Sequence, residues 1–189
     1  EMGITMEKLR KGPVKAPRRA NMPAFMTPSG RMEFYCEKLV GVGQQLPGYM
    51  EPLESVRTPL GQEYRLTLMT THTRFRTHST LANASWLREL EPEPLLQMNP
   101  LDAGLRGIQD GDIVRAFNDR GHMKLKAKVT EAIQPGTVNV NQGWWPEDFI
   151  EGTHQVLTHS ALNPVQEMLF EPNAALYDVL VEVEKAREG

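Results

Sequence analysis

The sequence predicts a mainly β domain, a closed or nearly closed β-barrel that carries two brief helices. Three observations lead there. From Tyr64 onward, short runs of alternating apolar and polar residues recur, each bounded by Gly, Pro, Asn or Asp. Only two segments carry helical spacing, and a further alternating run closes the series at Leu176 to Glu184. A length of 189 residues with 40% hydrophobic content suits one domain of ordinary size with a real core, with room for an appendage.

The elements follow in order. Residues 1–24 set Lys8, Arg10, Lys11, Lys15, Arg18 and Arg19 against Glu1 and Glu7, with Pro13, Pro17 and Pro23 between them; proline at that density predicts an extended surface segment. Thr27-Pro28-Ser29-Gly30 is a turn signal. The alternation of Arg31, Glu33 and Tyr35 with Met32, Phe34 and Cys36 then predicts a half-buried strand over 31–37. Residues 41–62 are loop, rich in Gly and Pro. We therefore expect a loop-rich lead-in over 1–62 and a barrel over 63–189. Leu66 and Leu68 face one way and Arg65, Thr67 and Met69 the other, a strand that runs into Thr71-His72. Leu81, Ala84, Trp86, Leu87 and Leu90 have helical spacing, ended by Pro92. Leu95 to Met98 is a short strand. Asn99 as N-cap, Pro100 at the first helical position and Asp102 near the positive end open a short helix that Gly107 closes. Strands follow over Asp112 to Asn118, His122 to Val129 and Thr137 to Asn141, joined by turns at Asp119-Arg120-Gly121 and Pro135-Gly136.

Charge and cysteine content exclude several functions. With 21 Lys plus Arg against 24 Asp plus Glu the net charge is −3, so this is no polycationic nucleic-acid binder. No stretch approaches the ~20 apolar residues of a membrane-spanning helix. One cysteine cannot form an internal disulfide, a four-cysteine zinc site or a complete iron–sulfur cluster, and the compartment stays open. The first residue is Glu1 rather than Met, so a piece of something longer is expected.

The chemistry concentrates between Glu63 and Glu89. No acid occurs from Tyr64 to Arg88, yet Arg65, Arg74, Arg76 and Arg88 fall inside, with His72 and His78. At the centre stands Thr71-His72-Thr73-Arg74-Phe75-Arg76-Thr77-His78-Ser79-Thr80. Guanidinium forks, imidazole N–H groups, hydroxyls and backbone amides at a strand-to-helix bend together suit an oxyanion such as a pyrophosphate. The alternative is a solvated basic loop that pairs with acids elsewhere.

Arg76-Thr77-His78-Ser79-Thr80 preceded by His72, then Asn99-Pro100-Leu101-Asp102-Ala103, then Gly107-Ile108-Gln109-Asp110-Gly111-Asp112-Ile113-Val114 form an ordered set. With Pro135-Gly136-Thr137-Val138, this set resembles the C-terminal dinucleotide-binding domain of molybdopterin oxidoreductases, in the flavour of dimethyl sulfoxide reductase catalytic subunits. Thr27 to Tyr35 resembles the segment that precedes it, and the resemblance covers roughly Phe25 to Lys185.

That resemblance implies a six-stranded double-psi β-barrel with short helices. It implies bis(molybdopterin guanine dinucleotide) holding molybdenum, or sometimes tungsten, with any iron–sulfur cluster upstream of this chain. It implies cofactor contacts from His72, Arg76, His78 and Ser79, with Thr71 and Thr77 as weaker candidates. Asn99 and Asp102 read first as an N-cap pair and are carried as contacts second. Family members reach the pterin with an Asn-x-Leu-Thr segment and a following Asp-Pro. Here Gln155-Val156-Leu157-Thr158 and Asn163-Pro164 hold that spacing, with Gln for Asn and Asn for Asp. Gln142-Gly143-Trp144-Trp145 places a further amide near the cofactor, whereas the tryptophans read as core or interface. Cys36 reads as a small buried hydrophobe.

The leading expectation is a cofactor-binding domain of a larger molybdenum oxidoreductase subunit. Its partners would be the rest of that polypeptide and an iron–sulfur electron-transfer subunit; family members are periplasmic, membrane-associated or cytoplasmic. A stand-alone barrel serving as an accessory subunit or peptide-binding module is the second reading. A hydrolase built on His72 or His78 with Ser79 lacks a nearby orienting acid and ranks last.

Overall fold

The computed structural model describes residues 4–15, 25–167 and 177–186. The chain divides into two compact units, Glu1–Gly48 and Tyr49–Gly189.

The first unit departs from the sequence expectation twice. Met6–Lys11 is a helix, α1, inside the stretch expected to be extended. Thr5 caps it by accepting from the Lys8 N–H, and Lys11 pairs with Glu7 one turn away, so helical order ends before the first proline rather than being prevented by it. The turn at Thr27 to Gly30 is present, closed by Gly30 N–H donating to Thr27 O (2.9 Å). The strand expected over 31–37 is absent. Met32 and Phe34 are exposed, and Cys36, partly exposed, precedes a 3-10 turn at Glu37–Val42. Alternation alone does not make a strand without a neighbouring strand to pair with, and none among the described residues pairs with this segment.

In the second unit the strands are β1 (Leu66–Met69), β2 (Leu95–Met98), β3 (Ile113–Asn118), β4 (Gly121–Val129), β5 (Thr137–Asn139), β6 (Glu151–Gly152) and β7 (Leu180–Lys185). The sheet order is β2-β5-β1-β7-β3-β4, and β2 pairs back onto β4 to close a barrel of six strands; the two-residue β6 is appended to β4. Two of the six junctions are parallel, β1 with β5 and β2 with β4. Exchanging β1 with β4, β2 with β5 and β3 with β7 reproduces the same ring of neighbours and exchanges the two parallel junctions. That internal two-fold is the double-psi arrangement expected from the family resemblance.

Period-2 burial drives the closure. Leu66, Leu68, Leu96, Met98, Val114, Ala116, Met123, Leu125, Val138, Val181 and Val183 point inward and are almost fully buried, and alternate residues point outward. Leu180 is buried although it faces away from Val179 and Val181, so β7 starts with both faces covered. Tyr49–Gln62 is tied to the barrel through Glu54, which accepts from Arg120 Nη1 (2.5 Å), Arg120 Nη2 (3.0 Å) and the Leu180 N–H (2.8 Å).

The helices are brief. α2 spans Ser85–Leu90 rather than starting at Leu81, because His78 and Leu81 take left-handed backbone angles (φ 51° and 59°) that interrupt a helix. α3, Pro100–Leu105, has Asn99 as its cap, accepting from the Leu101 N–H, with Pro100 at the first position as expected. α4, Pro164–Glu167, repeats the device with Asn163 Oδ1 accepting from the Val165 and Gln166 N–H groups. Among the described residues no helix is long and apolar enough to cross a membrane.

Candidate functional site

The β1–β5 junction continues beyond its strands and builds the site. Val140 N–H donates to Met69 O (3.0 Å) and Gln142 N–H to Thr71 O (2.9 Å), which lays the segment 140–144 along the start of the 71–79 bend. Gly143 then meets the backbone of His78. It has φ +91°, and a Cβ there would overlap the His78 carbonyl oxygen and come within 2.5 Å of its carbon. Only glycine allows that approach.

Against this seam lies a cavity of about 230 Å³, lined by His78, Ser79, Gln142, Gly143, Trp144, Pro146, Thr153, His154 and Gln155. Four residues expected from sequence, His78, Ser79, Gln142 and Gln155, therefore share one cavity, although they come from three separate segments. His72 stands beside it, its ring edge-on to His78 at 4.7 Å between centroids.

The cavity wall is rich in donors. Trp144 Nε1 and His154 Nδ1 are buried with no partner among the described residues. Gln155 Nε2 lies 3.2 Å from His154 Nε2. With the amide donating there, the ring proton falls on Nδ1, and burial pushes the His154 pKa down so that the ring stays neutral. Two aromatic N–H groups are thus desolvated without an acceptor, an arrangement that natural interiors reserve for places where something else binds.

Arg76 is placed otherwise than the sequence suggested. Its side chain is only 3% exposed and does not line the cavity. Nη2 donates to Glu91 Oε2 (3.2 Å), Nη1 to Gly143 O (3.4 Å), and the guanidinium lies 4.0 Å over the Trp144 ring. The basic-loop alternative is therefore half right. An acid elsewhere does pair with Arg76, and that pair supports the cavity wall. Arg88 covers the same indole at 5.3 Å and donates to Asp148 Oδ1 (2.7 Å).

The remaining expected residues lie apart from this cavity. Thr71 borders a second, uncharged cleft of about 490 Å³ with Gln97, Gln134, Asn139 and Asn141, its hydroxyl donating to Asn141 Oδ1 (3.2 Å). Thr77 is exposed on the bend, and its carbonyl accepts from the Thr80 N–H. Asn99 and Asp102 are buried and serve the chain. Asn99 Nδ2 donates to Ile133 O (2.7 Å), and Asp102 Oδ2 accepts from the Gly136 N–H (2.8 Å). Asp102 thus anchors the turn before β5 rather than completing a cap. Asn163 caps α4 with its side-chain oxygen. Trp144, read from sequence as core or interface, is buried but lines the cavity, whereas Trp145 is half exposed. His154 and Glu91 were not singled out by sequence. His154 had only its adjacency to Gln155 as a signal, and Glu91 is one of three alternating acids, Glu89, Glu91 and Glu93, with nothing to mark the middle one.

A closed double-psi barrel with a donor-lined seam at a parallel junction defines a cofactor-holding domain. Residues 66–170 match the model of the Molydopterin dinucleotide binding domain, and the chain belongs to that family. It is 37% identical over 184 residues, 92% of its length, to a protein of Halobacterium salinarum described as a "Putative dimethyl sulfoxide reductase catalytic subunit". It is 38% identical over 63% of its length to the dimethyl sulfoxide reductase DmsA of Escherichia coli. A dimethyl sulfoxide/trimethylamine N-oxide reductase of Cereibacter sphaeroides is 40% identical over the same share. The chain spans only 21%, 16% and 15% of those three proteins. Among solved structures, acetylene hydratase from Pelobacter acetylenicus superposes with a TM-score of 0.75 at 24% identity, covering 97% of this chain and 28% of that one; this likeness shows the fold.

Proposed function

We propose that this chain is the domain of a molybdenum oxidoreductase catalytic subunit that holds the pterin and diphosphate of bis(molybdopterin guanine dinucleotide). The carrying observation is the pair of buried, acceptor-less N–H groups of Trp144 and His154 in the cavity that also gathers His78, Ser79, Gln142 and Gln155. A pterin edge and a diphosphate are dense in acceptors, so the donor set fits them. At about 230 Å³ the cavity takes an edge of such a group rather than the whole of it.

In this reading His78, Ser79, Gln142 and Gln155 contact the cofactor with Trp144 and His154, and His72 stacks behind His78. Arg76 acts through Trp144 and Gly143. Thr71 belongs to the neighbouring cleft, Thr77 is a contact from the exposed bend, and Asn99, Asp102 and Asn163 hold the backbone that surrounds the site. The cofactor, when bound, supplies two-electron redox chemistry at molybdenum, or at tungsten in the same ligand frame; this chain binds and orients it. The metal's protein ligand, the substrate funnel and any iron–sulfur donor belong to the rest of a larger subunit or to an electron-transfer partner, since Cys36 alone cannot hold a cluster.

The test is molybdenum and guanine nucleotide per polypeptide in the full-length enzyme. Gln155→Leu removes a donor and frees His154 Nε2; hydrogen bonds to a charged group carry about 1.5–3 kcal/mol, so cofactor retention should fall roughly 10- to 100-fold. Wild-type cofactor content in both Gln155→Leu and His78→Ala would refute the assignment.

A further inference from the structure

We infer that Glu91 is the positioning residue of this cradle: its buried carboxylate ties the 71–79 bend to the 140–144 segment and so shapes the cavity before any cofactor arrives. The inference rests on the proposed function and concerns an acid whose carboxylate hydrogen-bonds none of the cavity-lining residues.

Glu91 follows α2, where its N–H donates to Leu87 O (3.1 Å). Its side chain is 17% exposed and receives three donors. Oε2 accepts from Thr73 Oγ1 (2.6 Å) and Arg76 Nη2 (3.2 Å), and Oε1 accepts from Asn141 Nδ2 (2.7 Å). Thr73 and Arg76 belong to one wall, Asn141 to the other. Each relays the hold further. Thr73 Oγ1 accepts from the Phe75 N–H (3.2 Å), Arg76 reaches Gly143 O and covers Trp144, and Asn141 Oδ1 accepts from Thr71 Oγ1 and Asn139 Nδ2 (both 3.2 Å).

A carboxylate suits this place because it is acceptor-only at both oxygens. An amide would turn an NH₂ toward one wall's donors. A buried ion pair adds little net stability, since desolvation offsets most of the attraction; what it supplies is direction. The same pairing neutralises Arg76, which leaves the cavity with neutral N–H groups, and it keeps the guanidinium flat on the Trp144 indole.

The experiment uses the full-length enzyme and reads guanine nucleotide and molybdenum per polypeptide beside the melting temperature. Glu91→Gln should retain about tenfold less cofactor, the scale of a buried polar network left half satisfied, with a melting temperature close to wild type. Glu91→Asp, which keeps both oxygens, should recover most of it. A purely structural role would move cofactor and melting together and would not single out the charge. Thr73→Val removes one donor without adding a charge, so it reports even where Glu91→Gln does not fold. It should lower retention by a smaller factor and add nothing on top of Glu91→Gln. Full cofactor in Glu91→Gln or in Thr73→Val, alongside loss in Gln155→Leu, overturns the role of Glu91 and leaves the proposed function standing. Full cofactor in all three overturns both.

Discussion

Gly143→Ala is the sharpest probe of the seam between the two walls. The added methyl would overlap the His78 carbonyl oxygen and lie 2.5 Å from His78 C and 3.1 Å from Ser79 N. All three are backbone atoms, so no side chain can swing aside and the two segments must part. Forcing φ +91° on a residue with a Cβ adds ~1–2 kcal/mol, and overpacking adds ~1–3 kcal/mol. The combined penalty of about 3 kcal/mol corresponds to a melting shift of roughly 6–12 °C for a domain of this size. Gly152→Ala is the matched control. It has φ +65°, its methyl would overlap the His122 carbonyl oxygen, and it stands on β6 rather than in the cavity wall. Calorimetry should show comparable destabilisation for the two variants, while molybdenum and nucleotide analysis should show loss in Gly143→Ala alone. Equal cofactor content in both would refute the argument that the seam sets the cavity.

Three further outcomes are expected. Burial holds the His154 pKa below 6.5, so the unfolded chain takes up the proton first as pH falls; its stabilising contribution is present above pH 6.5 and is lost on acidification, and His154→Leu should flatten that part of a stability–pH profile. Hydrogen bonds from Lys124 and then His122 push the Glu151 pKa down to about 2 from 4.5; its contribution is therefore present above pH 4.5 and disappears as pH falls toward 2. Melting curves of Glu151→Gln and the parent should differ at neutral pH and converge at that acid limit. Asp102→Ala strands the buried Gly136 N–H and should cost about 1–3 kcal/mol by denaturant titration with unchanged cofactor content; cofactor loss without destabilisation would move Asp102 into the site.

The barrel was legible because its strands advertise themselves locally. Leu66 and Leu68, or Val114 and Ala116, alternate with polar neighbours between Gly, Pro and Asn turns, and the Asn99-Pro100 start of α3 is written in two residues. Met32, Phe34 and Cys36 carry the same alternation without forming a strand, because pairing partners are a tertiary fact that spacing does not encode. The site was legible as a set of residue types on one bend, and His78, Ser79, Gln142 and Gln155 do share a cavity. The inward turn of Arg76 was not legible. It depends on Glu91, which lies outside the acid-free stretch, and on Trp144, brought over it by the β1–β5 pairing.

The position of β7 bears on biogenesis. The ribosome releases this strand after the other six, yet it fills the gap between β1 and β3. Until it emerges, two strand edges stand open and the ring of neighbours is broken, so most of the ladder waits on contacts between distant parts of the chain, a topology that folds slowly. The cleft beside the β1–β5 junction can therefore take its final shape only once synthesis has passed Lys185, and loading of a large prosthetic group follows translation of the barrel rather than accompanying it.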